Sequence, residues 1–296
     1  MSLPIGLIIN PTSGKNTGGR HGAQAATLLA ARGHEIIDLS AMDAAHARAR
    51  AQQVIDTGAL DRLVVAGGDG MVNLGVNLCA GIDLPLGIIA SGTGNDIARE
   101  LGLPVRDPVE AVARIEAGRE RRIDLARTDL SDGTPAWFAG VLAAGFDAVV
   151  NERANMWRWP KGQMRYNLAI LRELPVFRAI PYALTLDGVR HETEAMLVAV
   201  GNGPSYGGGM KVVPSAEFDD GLLDVLVLSK ISTSEFLRVF PKVFSGGHVD
   251  HPAVTIHRAR HVRLEATGIV GYADGERFAP LPLECSVVPG ALSVLT

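Results

Sequence analysis

The chain has 296 residues, enough for two domains, and its 47% hydrophobic and 20% charged residues are a globular composition. A formal net charge of −4 supplies no overall basic character, which argues against a nucleic-acid partner. No basic leader with a cleavage site and no run of about 18 uncharged apolar residues is visible. The expectation is therefore a cytoplasmic protein that meets any lipid from the aqueous side. Its two cysteines, Cys79 and Cys285, are expected to be reduced, buried thiols.

Leu3 to Ile9 is an apolar run that predicts a buried strand of a parallel sheet. It ends in Asn10-Pro11-Thr12-Ser13-Gly14-Lys15, a polar turn. This is either an ordinary strand-to-helix loop or a phosphate-contacting loop, with Asn10 and Ser13 as donors and Lys15 as a point charge. It is not a Walker A loop, because the order of glycines, Lys and Ser/Thr is wrong. Gly22 to Arg32 is alanine- and leucine-rich and predicts a helix closed by Gly33. Glu35 to Leu39 predicts the next strand, followed by Ser40, and Ala44 to Ile55 the next helix.

Arg62 to Ala66 predicts a third strand that stops abruptly at Gly67-Gly68-Asp69-Gly70-Met71-Val72-Asn73, with a helix from Val72 to Cys79. A glycine turn between strand and helix exposes backbone N–H groups to a phosphate. Asp69 would repel that phosphate, so it either holds an intervening Mg²⁺ or orders the loop. Leu86 to Ala90 predicts a fourth strand leading into Ser91-Gly92-Thr93-Gly94-Asn95-Asp96 and a helix that stops near Gly102. Asp107 to Ala117 predicts a further helix, with Asp107 as N-cap and Pro108 in its first turn. Such alternation means an open parallel α/β sheet, and the three polar loops gather at its carboxyl edge, where these sheets bind ligands.

After about Arg122 the pattern turns β-like. Strands are expected at 122–128, 137–144, 181–186, 195–200, 223–228, 254–257, 262–266 and 269–272, with a helix at 232–244 and a terminal hairpin around Pro289-Gly290. The domains are therefore expected at 1–122 and 123–296. Three acidic groupings could carry chemistry: Glu217 to Asp224, Asp274-Gly275-Glu276, and Gly145-Phe146-Asp147. Each is also compatible with a solvated turn. The histidines form no metal-ligand pattern. Gly203-Pro204-Ser205-Tyr206-Gly207 has the spacing of a nucleophile elbow, but no helix follows it. Residues 153–166 interleave Trp157 and Trp159 with Arg153, Arg158, Lys161 and Arg165, which suits either a membrane interface or two core tryptophans among solvated cations.

Taken together, Asn10 to Lys15, Gly67 to Gly70, Gly92 to Asp96, Gly145 to Asp147, Asp219 to Asp224 and Asp274 to Glu276 resemble, in order, the motifs of the soluble diacylglycerol kinases. That family shares its catalytic domain with the sphingosine and ceramide kinases. The resemblance implies a parallel α/β nucleotide-binding domain, a β-rich sandwich-like domain and an active site in the cleft between them. It implies ATP as donor, with its phosphates lined by Gly67, Gly68, Asp69, Gly70, Met71, Asn73 and Thr93, and Ser40 near the nucleotide. It implies Mg²⁺ held by Asp220 with the backbone carbonyls of Glu217 and Leu222. Glu276 is the implied proton acceptor, with Asp274 beside it. A lipid substrate at the membrane surface, peripheral membrane association and a homodimer are family-level expectations. Met71 and Leu74 depart from the pattern, standing where the family usually has Thr and Glu. A kinase of a soluble substrate, such as the NAD kinases, and a nucleotide- or lipid-binding regulator without turnover are the alternatives.

Overall fold

The structure is a computed structural model that describes residues 3–157, 159, 163–173 and 177–296. Its first third alternates β1 (Ile5–Ile9), α1 (Ser13–Ala31), β2 (Ile36–Asp38), α2 (Ala44–Ile55), β3 (Arg62–Gly67), α3 (Asp69–Cys79), β4 (Leu86–Ala90), α4 (Asp96–Glu100) and α5 (Pro108–Ala117). The strands are parallel, in the order β2-β1-β3-β4. Side chains alternate across the sheet, as strand geometry requires. Ile5, Leu7, Val64 and Ala66 pack with α1 and α5 on one face. Ile8, Leu63 and Val65 pack with α2 and α3 on the other.

The helices start earlier than their apolar periodicity suggests. The first begins at Ser13 and runs through Gly18, Gly19 and Gly22. A side chain at Gly22 would lie 2.6 Å from Ile9, so glycine there lets the helix lie close on β1. α3 begins at Asp69 itself. Asp107 caps α5 as expected, accepting the N–H groups of Val109 and Glu110.

The remainder comprises β5 (Glu120–Asp129), β6 (Pro135–Phe138), β7 (Val141–Gly145), α6 (Phe146–Met156), α7 (Gln163–Glu173), β8 (Ile180–Leu186), β9 (Val189–Gly201) and β10 (Leu223–Ser229). It continues with α8 (Thr233–Val239), two 3₁₀ turns at Phe240–Phe244 and Gly247–Asp250, and the strands β11 (Val254–Ala259), β12 (His261–Glu265), β13 (Val270–Ala273), β14 (Glu276–Pro280) and β15 (Leu283–Leu295). These strands wrap a sandwich-like core that includes Phe138, Tyr182, Leu223, Val262 and Leu283. The outer face of β7, β9 and β10 is covered by α6, α7 and α8. A boundary at 122/123 falls inside β5.

Three expectations are corrected. The tail is one strand, not a hairpin: β15 shifts register between Val288 and Leu292, and the Gly290 N–H is taken by the Asp124 carboxylate at 2.8 Å. Each half of β15 finds its own partners, β12 and β5 below the shift, β5 and β4 above it. The expected strand at 137–144 is two strands, broken at Ala139-Gly140. Helices α6 and α7 were not expected, although Phe146, Val150 and Ala154 fall on one helical face and are all buried.

Candidate active site

The strand order of the first sheet reverses between β1 and β3, and open α/β sheets bind ligands at the carboxyl ends of strands at such a switch point. The loops after β1, β3 and β4 converge there. Ser13 Oγ and Ser91 Oγ are 3.3 Å apart, and Ser91 N–H donates to Gly67 O at 2.7 Å. Gly68 and Gly92 touch backbone to backbone, since a Cβ on Gly92 would lie 2.4 Å from Gly68 Cα. The N-cap of α3 is Gly68, which has no side chain to satisfy the first turn. Among the described residues the N–H groups of Asp69 and Gly70 find no acceptor. A helix N-terminus with unclaimed donors favours an anion.

Asp69 has a definite structural partner. Its two oxygens accept the N–H groups of Asn95 and Asp96, at 2.8 and 2.7 Å. It therefore orders the second glycine loop by capping α4, where Asn95 adopts the left-handed conformation (φ 59°). Asn95 closes the same loop by bonding Gly92 through both side-chain ends. Met71 is buried, packed over Gly67 in the core, which is where an apolar residue belongs once the hydroxyl of Thr is absent. Thr93 is exposed at the loop tip. Asn10 turns its amide oxygen onto the Thr12 N–H and hydroxyl. Ser40 Oγ accepts the Ile9 N–H at 2.9 Å, tying the ends of β1 and β2 together. The side chains of Lys15 and Asp147 lie outside the described residues.

From the second half, the turn between β13 and β14 reaches this edge. It carries both candidate carboxylates, in different surroundings. Asp274 is buried and takes a positive φ of 51°. Its Oδ1 accepts the N–H groups of Gly140 (2.9 Å) and Val141 (3.1 Å), its Oδ2 that of Ala139 (3.1 Å) and, weakly, the Asn73 amide at 3.5 Å. These are the residues at which the 137–144 strand breaks, so the break is made by the carboxylate. Burial pushes the Asp274 pKa up to about 6, against the pull of those bonds. Glu276 is solvent-accessible, and its carboxylate makes no hydrogen bond or ion pair among the described residues. Its Oε1 lies 3.2 Å from where a Cβ of Gly70 would be, over the first turn of α3. Partial burial of the carboxyl raises its pKa above the usual range.

A second seam lies nearby. Asp96 Oδ2 accepts the Gly208 N–H at 2.7 Å, and Ser205 Oγ donates to Glu100 at 2.8 Å. That bond and burial give Ser205 a structural role. Asp96 Oδ1 is buried with no hydrogen-bond partner, and burial raises its pKa. In the sequence Asp96 stands at the end of a glycine-loop motif, with no signal for its contact with Gly208.

The expected metal turn is differently employed. Asp220 Oδ2 pairs with Arg258, and its Oδ1 accepts the Leu222 N–H at 3.0 Å, while Glu217 is exposed. Both oxygens of that carboxylate are engaged, and no three His, Cys, Asp or Glu side chains converge as a metal site among the described residues. A cation held there by Asp220 and the backbone carbonyls of Glu217 and Leu222 would displace Arg258 from Asp220 Oδ2. Asp96 Oδ1 is enclosed by protein and has the Arg99 guanidinium 3.6 Å away.

Beneath α6, α7 and α8 lies an apolar cavity of about 80 Å³. Phe146, Ile170, Leu197, Leu226, Leu228 and Phe236 line it. Met156 of α6, Met164 and Leu168 of α7, and Trp159 between the two helices are exposed. Trp157, by contrast, packs against the core. Arg158, Pro160, Lys161 and Gly162, named with this segment in the sequence, lie outside the described residues. No described helix is long and apolar enough to cross a membrane.

Residues 4–128 match the diacylglycerol kinase catalytic domain, and residues 140–296 match the YegS C-terminal NAD kinase beta sandwich-like domain. A diacylglycerol kinase of Mycobacterium tuberculosis (strain CDC 1551 / Oshkosh) is 42% identical over 292 residues, covering 98% of this chain and 94% of the relative. One from Bacillus subtilis (strain 168) is 30% identical over 285 residues, covering 94% and 91%. A crystal structure of a diacylglycerol kinase from Bacillus anthracis str. Sterne superposes with a TM-score of 0.76 at 26% identity, covering 99% of this chain and 96% of that one.

Proposed function

The chain belongs to the diacylglycerol kinase family, and on that premise we propose that it transfers the γ-phosphoryl group of ATP, as its Mg²⁺ complex, to the hydroxyl of a diacylglycerol or closely related lipid alcohol. The observation that carries this reading is Glu276 Oε1 overhanging the first turn of α3 at Gly70. A phosphate on the α3 N-terminus and a hydroxyl beside Glu276 would then be neighbours. Phosphoryl transfer asks for positioning and charge neutralisation more than for covalent help. The N–H groups of Asp69 and Gly70 would hold phosphate oxygens. Mg²⁺ would neutralise charge on the phosphates, and a cation at Asp220 with the backbone carbonyls of Glu217 and Leu222 is the protein site the family resemblance implies.

Glu276 is assigned as the acceptor of the alcohol proton, and Asp274 as the residue that positions the β13–β14 turn. Asp274 is held by N–H donors from Ala139, Gly140 and Val141, whereas no described residue competes for the Glu276 carboxylate. The apolar lining of the cavity suits hydrocarbon, and an acyl chain would have to widen it on entry. The exposed Met156, Trp159, Met164 and Leu168 suit contact with a bilayer, from which α7 would admit lipid, because Ile170 on the same helix lines the cavity.

The test is ATP consumption with Mg²⁺ against diacylglycerol in mixed micelles, sphingosine, ceramide, monoacylglycerol and NAD⁺. A diacylglycerol-dependent rate is expected, and turnover with NAD⁺ alone would move the chain to a soluble-substrate reading. Glu276→Gln should lower kcat by about 10²-fold or more while the KM for ATP changes little. Wild-type turnover in both Glu276→Gln and Asp274→Asn would sink the assignment.

A further inference from the structure

We propose that Asn77 is a positioning residue for phosphoryl transfer: by binding both backbone groups of Trp137, it holds the first turn of α3 and the β13–β14 turn at their working separation. The inference rests on the lipid-kinase reading and names a residue outside the glycine loops and the acidic turn on which its geometry depends.

Most of α3 is apolar, and Met71, Val72, Leu74, Val76 and Leu78 are all buried. Gly70, Asn73 and Asn77 interrupt that pattern, and at i, i+3 and i+7 they share one helical face. Each of the three meets the second half of the chain. Glu276 Oε1 overhangs Gly70, and the Asn73 amide approaches Asp274 Oδ2 at 3.5 Å. Asn77 Nδ2 donates to the Trp137 carbonyl oxygen at 3.0 Å, and Asn77 Oδ1 accepts the Trp137 N–H at 3.0 Å. A backbone N–H can only donate and a carbonyl can only accept, so the amide has one orientation. Its Nδ2 also donates to the Asn73 carbonyl oxygen, one turn earlier, at 3.0 Å.

β6 pairs with β5 along one edge, and at Trp137 the Asn77 side chain stands in for a strand partner on the other. Two residues on, the Ala139 N–H binds Asp274, and two residues beyond Asp274 stands Glu276. The contacts therefore close a ring: from α3 through Asn77 to β6, from β6 to Asp274, and from Glu276 back over Gly70. Where α3 meets this ring, the Asn77 bonds are shorter than the Asn73 contact, and the Glu276 carboxylate bonds nothing among the described residues. The separation between the N–H groups at the start of α3 and the Glu276 carboxylate thus depends on Asn77. A misplacement of about 1 Å between reacting groups can cost ~10²-fold in rate.

The experiment is a double-mutant cycle on the full chain with diacylglycerol in mixed micelles. Asn77→Leu keeps the side-chain size and removes every one of these bonds. Asn77→Ser keeps a hydroxyl that can bond the Asn73 carbonyl but is too short to bridge to Trp137. Both should lower kcat by about tenfold or more and leave the KM for ATP within about threefold. Combined with Glu276→Gln, each should cost less than about twofold further, because the geometry it disturbs no longer serves a proton acceptor. A loss of folded enzyme would instead scale both backgrounds by the same factor. Equal factors in the two backgrounds, or an unchanged kcat in both Asn77 variants, overturn the proposal.

Absence of turnover on every lipid would sink the kinase reading instead, and wild-type turnover in Glu276→Gln its proton acceptor. The positioning is then read without activity, by amide hydrogen exchange. Exchange at residues 272–276, where the Asp274 N–H donates to the Val141 carbonyl, should quicken by about tenfold or more in both Asn77 variants, while exchange in α1 stays as in the wild type. Unchanged exchange at 272–276, or the same increase in α1, overturns the proposal.

Discussion

Asp274 and Glu276 are two residues apart and chemically alike, yet the fold gives them opposite circumstances. The Asp274 carboxylate is enclosed by backbone donors, and Glu276 faces the opening above α3. The sequence shows an acidic pair around a glycine. It cannot show that Asp274 would be claimed by Ala139, Gly140 and Val141, because those donors lie in a strand break some 130 residues earlier that the carboxylate itself creates. For the same reason Asp69 was legible as important but not as the cap of α4. Asp274 also carries a pH signature. Its folded pKa of about 6 is above the ordinary 3.8, so the folded state binds more protons than the unfolded chain between those values. Its contribution to stability is fully present below about pH 4 and is lost as pH rises through 6, a total of about 3 kcal/mol. Urea unfolding at pH 4.5, 5.5 and 7 should show this slope in the wild type and lack it in Asp274→Asn. Equal slopes would remove the assignment.

Among the elements, the strand–helix alternation of the first sheet was readable because buried parallel strands leave short apolar runs and helices leave alanine-rich ones. The two glycine loops were also readable, and their contact explains why both are needed. Gly68 and Gly92 approach so closely that a methyl group on Gly92 would lie 2.4 Å from Gly68 Cα and must push the backbones apart. Gly92→Ala should raise the KM for ATP by about tenfold or more and leave the lipid KM little changed; unaltered ATP saturation would contradict the shared site. β15 was misread because Pro289-Gly290 is ordinarily a turn. What prevents a turn is non-local: partners on both sides and the Asp124 carboxylate on the Gly290 N–H. Leu292 lies in the first core, and Leu283 and Cys285, on the same strand, lie in the sandwich core. Leu292→Ala should cost about 2–5 kcal/mol and lower the unfolding midpoint of both regions in one transition. Two separated calorimetric transitions would show that the strand does not couple them.

At the scale of the molecule, the halves are joined by the β15 strand, by the Asp96–Gly208 and Ser205–Glu100 bonds and by Asn73 reaching Asp274. The candidate site lies where these seams meet, and the apolar cavity lies beneath helices whose outer side is also apolar. The sequence marked residues 153–166 as a candidate surface without revealing helices, since their Trp, Pro and Arg content masks the buried four-residue spacing of Phe146, Val150 and Ala154. Trp159, 81% exposed, is the probe of that surface. Trp159→Ala should reduce co-sedimentation with vesicles containing anionic lipid and raise the apparent KM for vesicle-borne diacylglycerol, with micellar turnover retained. Undiminished vesicle binding would place the contact elsewhere. The course of β15 has a consequence in time as well as space. Val294 pairs with Leu86, so the fourth strand of the nucleotide-binding sheet waits for a neighbour encoded near the opposite end of the chain. At ~5–20 residues per second that wait on the ribosome is about 10–40 s. Throughout it, β4 presents an unpaired edge to the cell, so a nascent chain halted before residue 283 should be a chaperone client, and release of the last strand the event that ends its dependence.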